Sequence, residues 1–371
     1  MIEKGRLSNI QTAMLAITSL TIMGHLILLT VILHQSRQDG WIAAIVGTIL
    51  GLIGILSLVK LSQAFPGLTL IEILFKHFSW PGKVMGVLYL IYFFIMVCLA
   101  GRLFVEAYKT VMERTPMWAF LAVILLLTAF IVYSGLETLG RLNQVMLPVL
   151  VIIAIVVVFL TMGGNKDYSN LLPIFGNGLK PVSFGSLSVM GWFGEFVIMG
   201  MVLPYVQRPK KLVKTGIGVA IVTLIFFLGP ITGPVALFGA EQAAKMVFPT
   251  FSEVRYINIG AVINRFDTIA VLFWTVGLMI RISLFYYGLS LGIAQAFGLK
   301  SYRPLVVPLG WLIGVGAVLY AQNYAELNAF LFESYVPLNL LMGALVPLIL
   351  WICSTFIVHK KVNKRDARAL H

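Results

Sequence analysis

Apolar residues fall along this chain in long, nearly unbroken runs separated by short polar, glycine- or proline-bearing breaks. They show neither the alternation of a half-buried strand nor the one-sided stripe of a soluble helix. A helix that crosses a bilayer needs about 20 apolar residues. Ten runs meet or approach that length, at 10–33, 42–59, 84–107, 118–133, 145–162, 184–204, 215–238, 268–292, 304–321 and 337–358. The first is longer than the core of a signal peptide and has no small-residue cleavage site before the polar His34-Gln35-Ser36-Arg37, so it reads as a retained first span.

Two segments outside the runs have a pattern of their own. Residues 69–78, bounded by Pro66-Gly67 and Pro81-Gly82, predict a short interfacial helix. The connection 239–267 predicts two short helices, 241–247 and 252–260, hinged at Pro249, which serve either as a lid or as a plain crossover. Within the runs, Gly229-Pro230 and Gly233-Pro234 predict a kink in the seventh, and Gly47, Gly51 and Gly54 are spaced for close helix approach in the second.

Composition agrees with this pattern. Of 371 residues, 60% are hydrophobic and 11% charged, against about 25% charged in soluble domains, and mean hydropathy is +0.97. The net charge of +13 does not point to nucleic acid, because the basic residues sit in short loops between apolar runs. Lys4, Arg6, Lys60, Lys76, Lys83, Arg141, the cluster Arg208 to Lys214, Lys300, Arg303 and the basic tail fall on one side. The positive-inside bias then puts both termini in the cytoplasm.

Ten spans with both ends on one side divide into two sets of five, and five is odd, so the second set starts from the opposite face. The chain therefore reads as a single polytopic membrane domain, 1–371, with a first five-helix repeat at 1–162, a second at 184–358 and a basic cytoplasmic tail at 359–371. The expected fold is all-α, ten transmembrane helices in a five-plus-five inverted repeat of the APC/LeuT type, with helices one and six broken at the midplane.

The ionisable residues inside the runs are few: His25 in the first, Arg102 and Glu106 in the third, Glu195 in the sixth and Arg281 in the eighth. In inverted-repeat transporters those four helices surround the substrate, an argument from fold analogy. Glu195 is the most telling, since a mid-bilayer carboxylate is costly unless paired, hydrated or protonated. Gly185, Gly191, Gly194 and Gly200 surround it, the composition of a broken helix with free backbone groups. Arg281 lies deep enough that a pair with Glu195 would relieve both. Each residue has a plainer reading: Glu195 as a structural carboxylate, Arg102 and Glu106 as a helix-surface pair reaching the interface, His25 beside Gly24 as a hydrogen-bonded core residue. The expected ligand site comprises Gly24, His25, Arg102, Gly191, Gly194, Glu195 and Arg281.

No phosphate loop, nucleophile elbow or metal-ligand spacing supports an enzyme, and no cofactor or metal is expected. Cys98 and Cys353 lie inside apolar runs and read as small core hydrophobes.

Several short stretches together resemble a known family. They are Asp39-Gly40-Trp41 after the first run, Glu113-Arg114-Thr115-Pro116 before the fourth, Tyr133 to Arg141 after it, Asn170-Leu171-Leu172-Pro173-Ile174, Phe193-Gly194-Glu195, Phe248-Pro249-Thr250 and Asn264-Arg265-Phe266-Asp267. In this order and placement the chain resembles the B subunits of bacterial endospore germinant receptors, a branch of the amino acid–polyamine–organocation transporter superfamily. The resemblance implies a subunit of the spore inner membrane that works beside A and C subunits and receives a small nutrient, an amino acid or a sugar. The family's acidic residue of the sixth helix falls on Glu195. Two other functions share the fold: a proton-coupled amino acid transporter with Glu195 as proton carrier, and a scaffold for partner subunits that binds no nutrient.

Overall fold

The computed structural model describes residues 2–109, 112, 114–162, 166–255, 266–321 and 323–369, and all of its regular elements are helical. Helix α1 (Asn9–Leu26) opens with a capping box in which Ser8 accepts from the Gln11 backbone amide at 3.1 Å, while the Gln11 side chain accepts from Ser8 N at 2.9 Å. It ends where Ile27 leaves helical geometry at φ −123° and ψ −52°, and α2 (Leu28–Ser36) follows at once. A 3-10 turn, Arg37–Asp39, leads into α3 (Gly40–Ala64).

The short α4 (Leu70–His77) begins with a second capping box, Thr69 with Glu72, and buries Leu70, Ile71, Ile73 and Leu74. Then come α5 (Ser79–Lys109), α6 (Met117–Ser134), α7 (Leu136–Met162) and α8 (Leu179–Gly194), the last continuing as 3-10 helix over Glu195–Met201. Between α6 and α7 the chain turns at Gly135, whose φ of +101° disfavours any side chain.

The remaining helices are α9 (Leu212–Phe238), α10 (Ala240–Lys245), α11 (Pro249–Arg255), α12 (Phe266–Ala296), α13 (Arg303–Leu319), α14 (Tyr324–Phe330), α15 (Val336–Asn339) and α16 (Val346–Ala369). π-helical turns at Leu331–Tyr335 and Leu340–Leu345 join the last three.

By length and composition, eight helices among the described residues can cross a membrane: Leu28–Ala64, Ser79–Lys109, Met117–Ser134, Leu136–Thr161, Leu179–Met201, Pro209–Phe238, Val271–Ala296 and Ala325–Ile357. Arg303–Leu319 is a shorter apolar helix. The first two predicted runs divide differently from expectation: α1 ends at Ile27 inside the first run, and α2 passes through the 3-10 turn into α3 where a break between the runs was expected.

Lipid tails are as apolar as leucine, so helices in a bilayer associate by close packing. The glycine stripe of α3 serves this. A Cβ on Gly47 would lie 2.5 Å from Ser186 O on α8, one on Gly51 2.7 Å from Phe193 Cβ, and one on Gly54 2.6 Å from Gly343 O. Pro230 and Pro234 are accommodated inside α9, which stays one helix.

Two expectations are corrected. Pro249 starts α11 rather than hinging two helices, in keeping with the absent N–H that the first helical position does not need. The rest of the predicted 252–260 helix, with Arg265, lies outside the described residues. Cys353 is exposed on the outside of the bundle, whereas Cys98 is a buried core residue.

On the N-terminal face, residues before α1 are pinned across the bundle. Leu7 N donates to Tyr205 O and Gln207 N to Leu7 O, both at 3.0 Å, in an isolated parallel bridge to Val206. Glu3 is buried beneath Tyr302 and Tyr287, whose hydroxyls donate to its carboxylate at 3.2 and 3.4 Å.

Candidate functional site

Glu195 occupies the residue at which α8 tightens into 3-10 helix. Arg281, on α12, reaches it across the bundle, and neither side chain has any solvent exposure. Arg281 Nη2 donates to Glu195 Oε1 at 2.5 Å, and Nη1 donates both to Glu195 Oε2 and, at 2.8 Å, to the carbonyl of Ser19 on α1. The guanidinium also lies 4.9 Å from the Phe285 ring centroid. This is the planar, two-pronged pairing for which arginine is suited.

The carboxylate takes a third donor from Tyr335, in the first π turn. Asn339 Nδ2 donates to Tyr335 O at 2.9 Å, and Tyr92 OH on α5 donates to Asn339 Oδ1 at 2.6 Å. The Trp192 ring packs 5.4 Å from that of Tyr335 and its Nε1 donates to Leu20 O at 2.8 Å. One network thus ties α1, α5, the α8 junction, α12 and the last helix together. It lies where two irregular stretches meet, the 3-10 continuation of α8 and the π turns, and such irregularities within helices commonly mark functional hinges. Nε of Arg281 has no hydrogen-bond partner.

The other expected site residues lie elsewhere or act differently. Gly191 and Gly194 belong to regular α8, and from Glu195 the chain tightens into 3-10 helix instead of unwinding around these glycines. Their lack of a side chain lets the last helix approach: a Cβ on Gly194 would sit 2.4 Å from Asn339 O, and one on Gly191 3.1 Å from Val336 O. Gly24 is helical too: a Cβ there would meet the Phe227 ring at 2.5 Å, and α1 leaves helical geometry only three residues later, at Ile27.

His25 points to α9. Its Nε2 lies 3.0 Å from Phe226 O, and its ring stacks on Phe273 with centroids 5.9 Å apart. Arg102 and Glu106 do form their i, i+4 pair, at 2.8 Å, but at 2% and 12% exposure the surface reading is wrong: neighbouring helices cover them, and Met117 Sδ lies 3.3 Å from Arg102 Nη1. Among the described residues no hydrogen bond or ion pair links His25 or Arg102 to Glu195 or Arg281.

Tyr335, Asn339, Tyr92 and Trp192 were not among the expected residues, because a search for charges and histidine passes over hydroxyl, amide and indole groups. A buried ion pair was also missed: Lys166 and Glu253 are 2.7 Å apart at 6% and 7% exposure. They cap a cavity of about 620 Å³ between α7 and α9 that has His25 in its lining and does not reach Glu195.

Comparison with known proteins agrees with this architecture. A family model described as spore germination protein matches residues 6–325. The chain is 26% identical to spore germination protein YndE of Bacillus subtilis over 87% of its own length and 88% of the relative's. It is 26% identical to spore germination protein KB of the same organism over 90% and 91%, and 27% identical to spore germination protein XB of Bacillus anthracis over 74% and 77%. Among solved structures it is similar to a manganese transporter of Eremococcus coleocola (mutant H236A), with TM-score 0.62 and 11% identity over 93% of this chain and 81% of that one. It is also similar to MHP1, a nucleobase-cation-symport-1 family transporter closed around bromovinylhydantoin, with TM-score 0.51 and 15% identity over 91% and 77%. At such identities the likeness shows the fold alone, that of transporters built from helices like these.

Proposed function

Since the chain belongs to the spore germination protein family, we propose that it is the transporter-like B subunit of a germinant receptor. In this reading it binds a small nutrient, an amino acid or a sugar, and triggers germination with A and C subunits in the spore inner membrane. Its termini are cytoplasmic and it performs no enzymatic chemistry. The ten spans are then α1 with α2, α3, α5, α6, α7, α8 with its 3-10 continuation, α9, α12, α13 and α14 to α16. The interruptions at Ile27 and Glu195 correspond to the two discontinuous helices of an inverted repeat.

The observation that carries this reading is the buried Glu195–Arg281 pair with its Tyr335 donor. A nutrient with an ammonium and a carboxylate group can take the place of each charge's partner, so ligand entry and opening of the network become one event. Gly191 and Gly194 hold the last helix close enough for that exchange to be felt, while Gly24, His25 and Arg102 serve packing on α1 and α5 away from the pair. A ligand shifts a two-state receptor only by its differential affinity, and going from mostly off to mostly on requires about 5.5 kcal/mol. Reorganising a buried ion pair is an event of that order.

The transporter fold favours a second reading, proton-coupled uptake of amino acids with Glu195 carrying the proton. Spores bearing Glu195→Gln test the first reading: the protein is retained and the nutrient concentration for half-maximal response shifts, whereas an unchanged dose curve removes Glu195 from the site. Concentrative uptake of labelled amino acids by the purified chain in proteoliposomes would establish transport instead.

A further inference from the structure

The cavity between α7 and α9 is separate from the Glu195 network and occupies about 620 Å³. Its walls are apolar, formed by residues such as Val151, Ala154 and Val158 on one side and Ile225 and Phe226 on the other. Two of the threonines among them bond to their own helices: Thr161 Oγ1 donates to Val158 O and Thr232 Oγ1 to Leu228 O, each at 2.9 Å. His25 Nε2 is engaged with Phe226 O at the inner end. Such an interior offers water few of the two to four partners it needs, and apolar cavities stay dry or take up apolar molecules.

The rim identifies what is at hand to fill it. Ile155, Phe159 and Ile225, which border the cavity, are 49%, 70% and 63% exposed on helices long and apolar enough to span a membrane. The opening is therefore continuous with the surface that faces hydrocarbon. At the end away from the N-terminal face the character changes. There Lys166 and Glu253 pair at 2.7 Å, and Thr250 Oγ1 is buried in the cavity lining without a hydrogen-bond partner. A long apolar slot open to the bilayer, with polar groups at one end only, has the layout of a lipid molecule.

We propose that this cavity is a binding site for one hydrocarbon chain of a bilayer lipid, whose head lies by Thr250 and the Lys166–Glu253 pair and whose tail extends towards His25. Because Glu253 neutralises Lys166, the site does not select an anionic headgroup. The chain braces α7 against α9 and supports α1 two residues before its interruption at Ile27. The bilayer thereby becomes a structural ligand of the helix that the Glu195–Arg281 network also holds, through the Ser19 carbonyl. Binding itself stands without the functional reading, and only the consequence for nutrient response rests on it.

Trp274 provides the probe, since it lines the cavity and is 4% exposed. The full chain is reconstituted into phosphatidylcholine vesicles with plain or brominated acyl chains, and Trp274 emission is obtained as the difference from a Trp274→Phe variant. Brominated chains are expected to quench most of it without added nutrient. Gly229→Leu should abolish that quenching, because a side chain there meets only Val158, whose nearest atom is 3.9 Å from the Cβ position, and would otherwise project into open space. Val158→Phe, at the rim, is a second plug should Gly229→Leu fail to fold. Emission equally strong in both kinds of vesicle overturns the proposal. So does quenching that both plugs leave intact, or that appears only when brominated free fatty acid is added to plain vesicles. If the site holds, plugged variants also shift the nutrient dose curve; quenching abolished with an unchanged curve would retain the lipid site and count against its coupling to the receptor.

Discussion

Arg281 meets Glu195 with both ends of its guanidinium, and through the same Nη1 it also holds the carbonyl of Ser19, so one side chain clamps α12 to both α1 and the α8 junction. Neither partner can rehydrate in place. Removing one leaves the other as an uncompensated buried charge, which costs about 3–5 kcal/mol. Arg281→Ala and Glu195→Ala are therefore each expected to lower the melting temperature strongly in a single detergent. The double replacement Glu195→Leu with Arg281→Met should lose much less than the sum. Additive losses in that cycle would show that the pair is not the coupled unit described here.

Tyr335→Phe isolates the third donor. It keeps the ring against Trp192 and removes only the hydroxyl that donates to Glu195. A hydrogen bond to a charged group contributes about 1.5–3 kcal/mol. If the network holds the closed receptor, its loss favours opening by roughly ten- to hundredfold. Spores carrying the variant should then respond at lower nutrient concentration. A higher threshold with unchanged protein level would instead place the hydroxyl on the ligand.

Glu195 and Arg281 could be found in the sequence because charge inside an apolar run stands out by its desolvation cost. Their pairing could be anticipated because each would relieve the other. Tyr335, Asn339 and Tyr92 carry no such cost, and although Pro337, Gly343 and Pro347 lie in or just after the π turns on which their roles depend, those breakers do not mark the neighbouring hydroxyl and amide groups as partners of Glu195. The glycine stripe on α3 was legible as a packing device, since small residues four and three apart lie on one helix face. A break in the first helix was expected by fold analogy near Gly24, but its position at Ile27 was not legible, because α1 runs on past Gly24 and stops at a β-branched residue with no breaker beside it. Burial of Arg102 beside a half-buried Glu106 was equally hidden, because an i, i+4 pair reads the same on a surface as beneath a neighbouring helix.

Gly343 and Gly194 are in backbone contact, which gives a sharp steric test. A Cβ on Gly343 would fall 2.1 Å from Gly194 O, a backbone atom that cannot swing aside. Gly343→Ala must push the last helix off α8, and overpacking of this kind costs about 1–3 kcal/mol. Gly218→Ala in α9 is the control, since nothing lies within 4 Å of its Cβ position. It should be neutral or stabilising by about 0.5–1 kcal/mol. Equal melting temperatures for both variants would refute the contact.

The Lys166–Glu253 pair predicts a pH dependence. Burial pushes the Glu253 carboxyl above its ordinary value of 4.5, against the pull of Lys166. A group whose native pKa is raised binds its proton more tightly when folded. Its stabilising contribution is thus complete below about 4.5 and is lost as pH rises through the raised native value. Glu253→Gln mimics the protonated form at every pH but leaves Lys166 without its charged partner at neutrality. The melting temperatures of wild type and variant should differ at pH 7 and converge on acidification. A difference that stays constant with pH would rule out Glu253 as the titrating group.

The final prediction concerns the N-terminal face, where Glu3 is the acceptor at the centre of a small cage. Besides the hydroxyls of Tyr302 and Tyr287, its carboxylate takes the amides of Lys4 and Gly5 at 2.8 and 2.7 Å and that of Leu136 at 3.4 Å. This folds the segment back on itself and delivers Leu7, fully buried, to its bridge with Val206 just beyond the 3-10 continuation of α8. Glu3→Ala leaves Tyr287 and the Leu136 amide without an acceptor, a loss of about 1–3 kcal/mol for each buried unpaired group. The segment should then detach before the helices do. Trypsin cleavage after Lys4 and Arg6, both exposed but held in this fold, is expected to accelerate in Glu3→Ala while the melting temperature of the bundle falls only slightly, with Glu3→Gln, which keeps an acceptor oxygen, in between. Cleavage at the wild-type rate in Glu3→Ala would mean that the backbone bridge at Leu7 and the burial of its side chain hold the segment, and Leu7→Ala, which removes most of that buried side chain, would then loosen it.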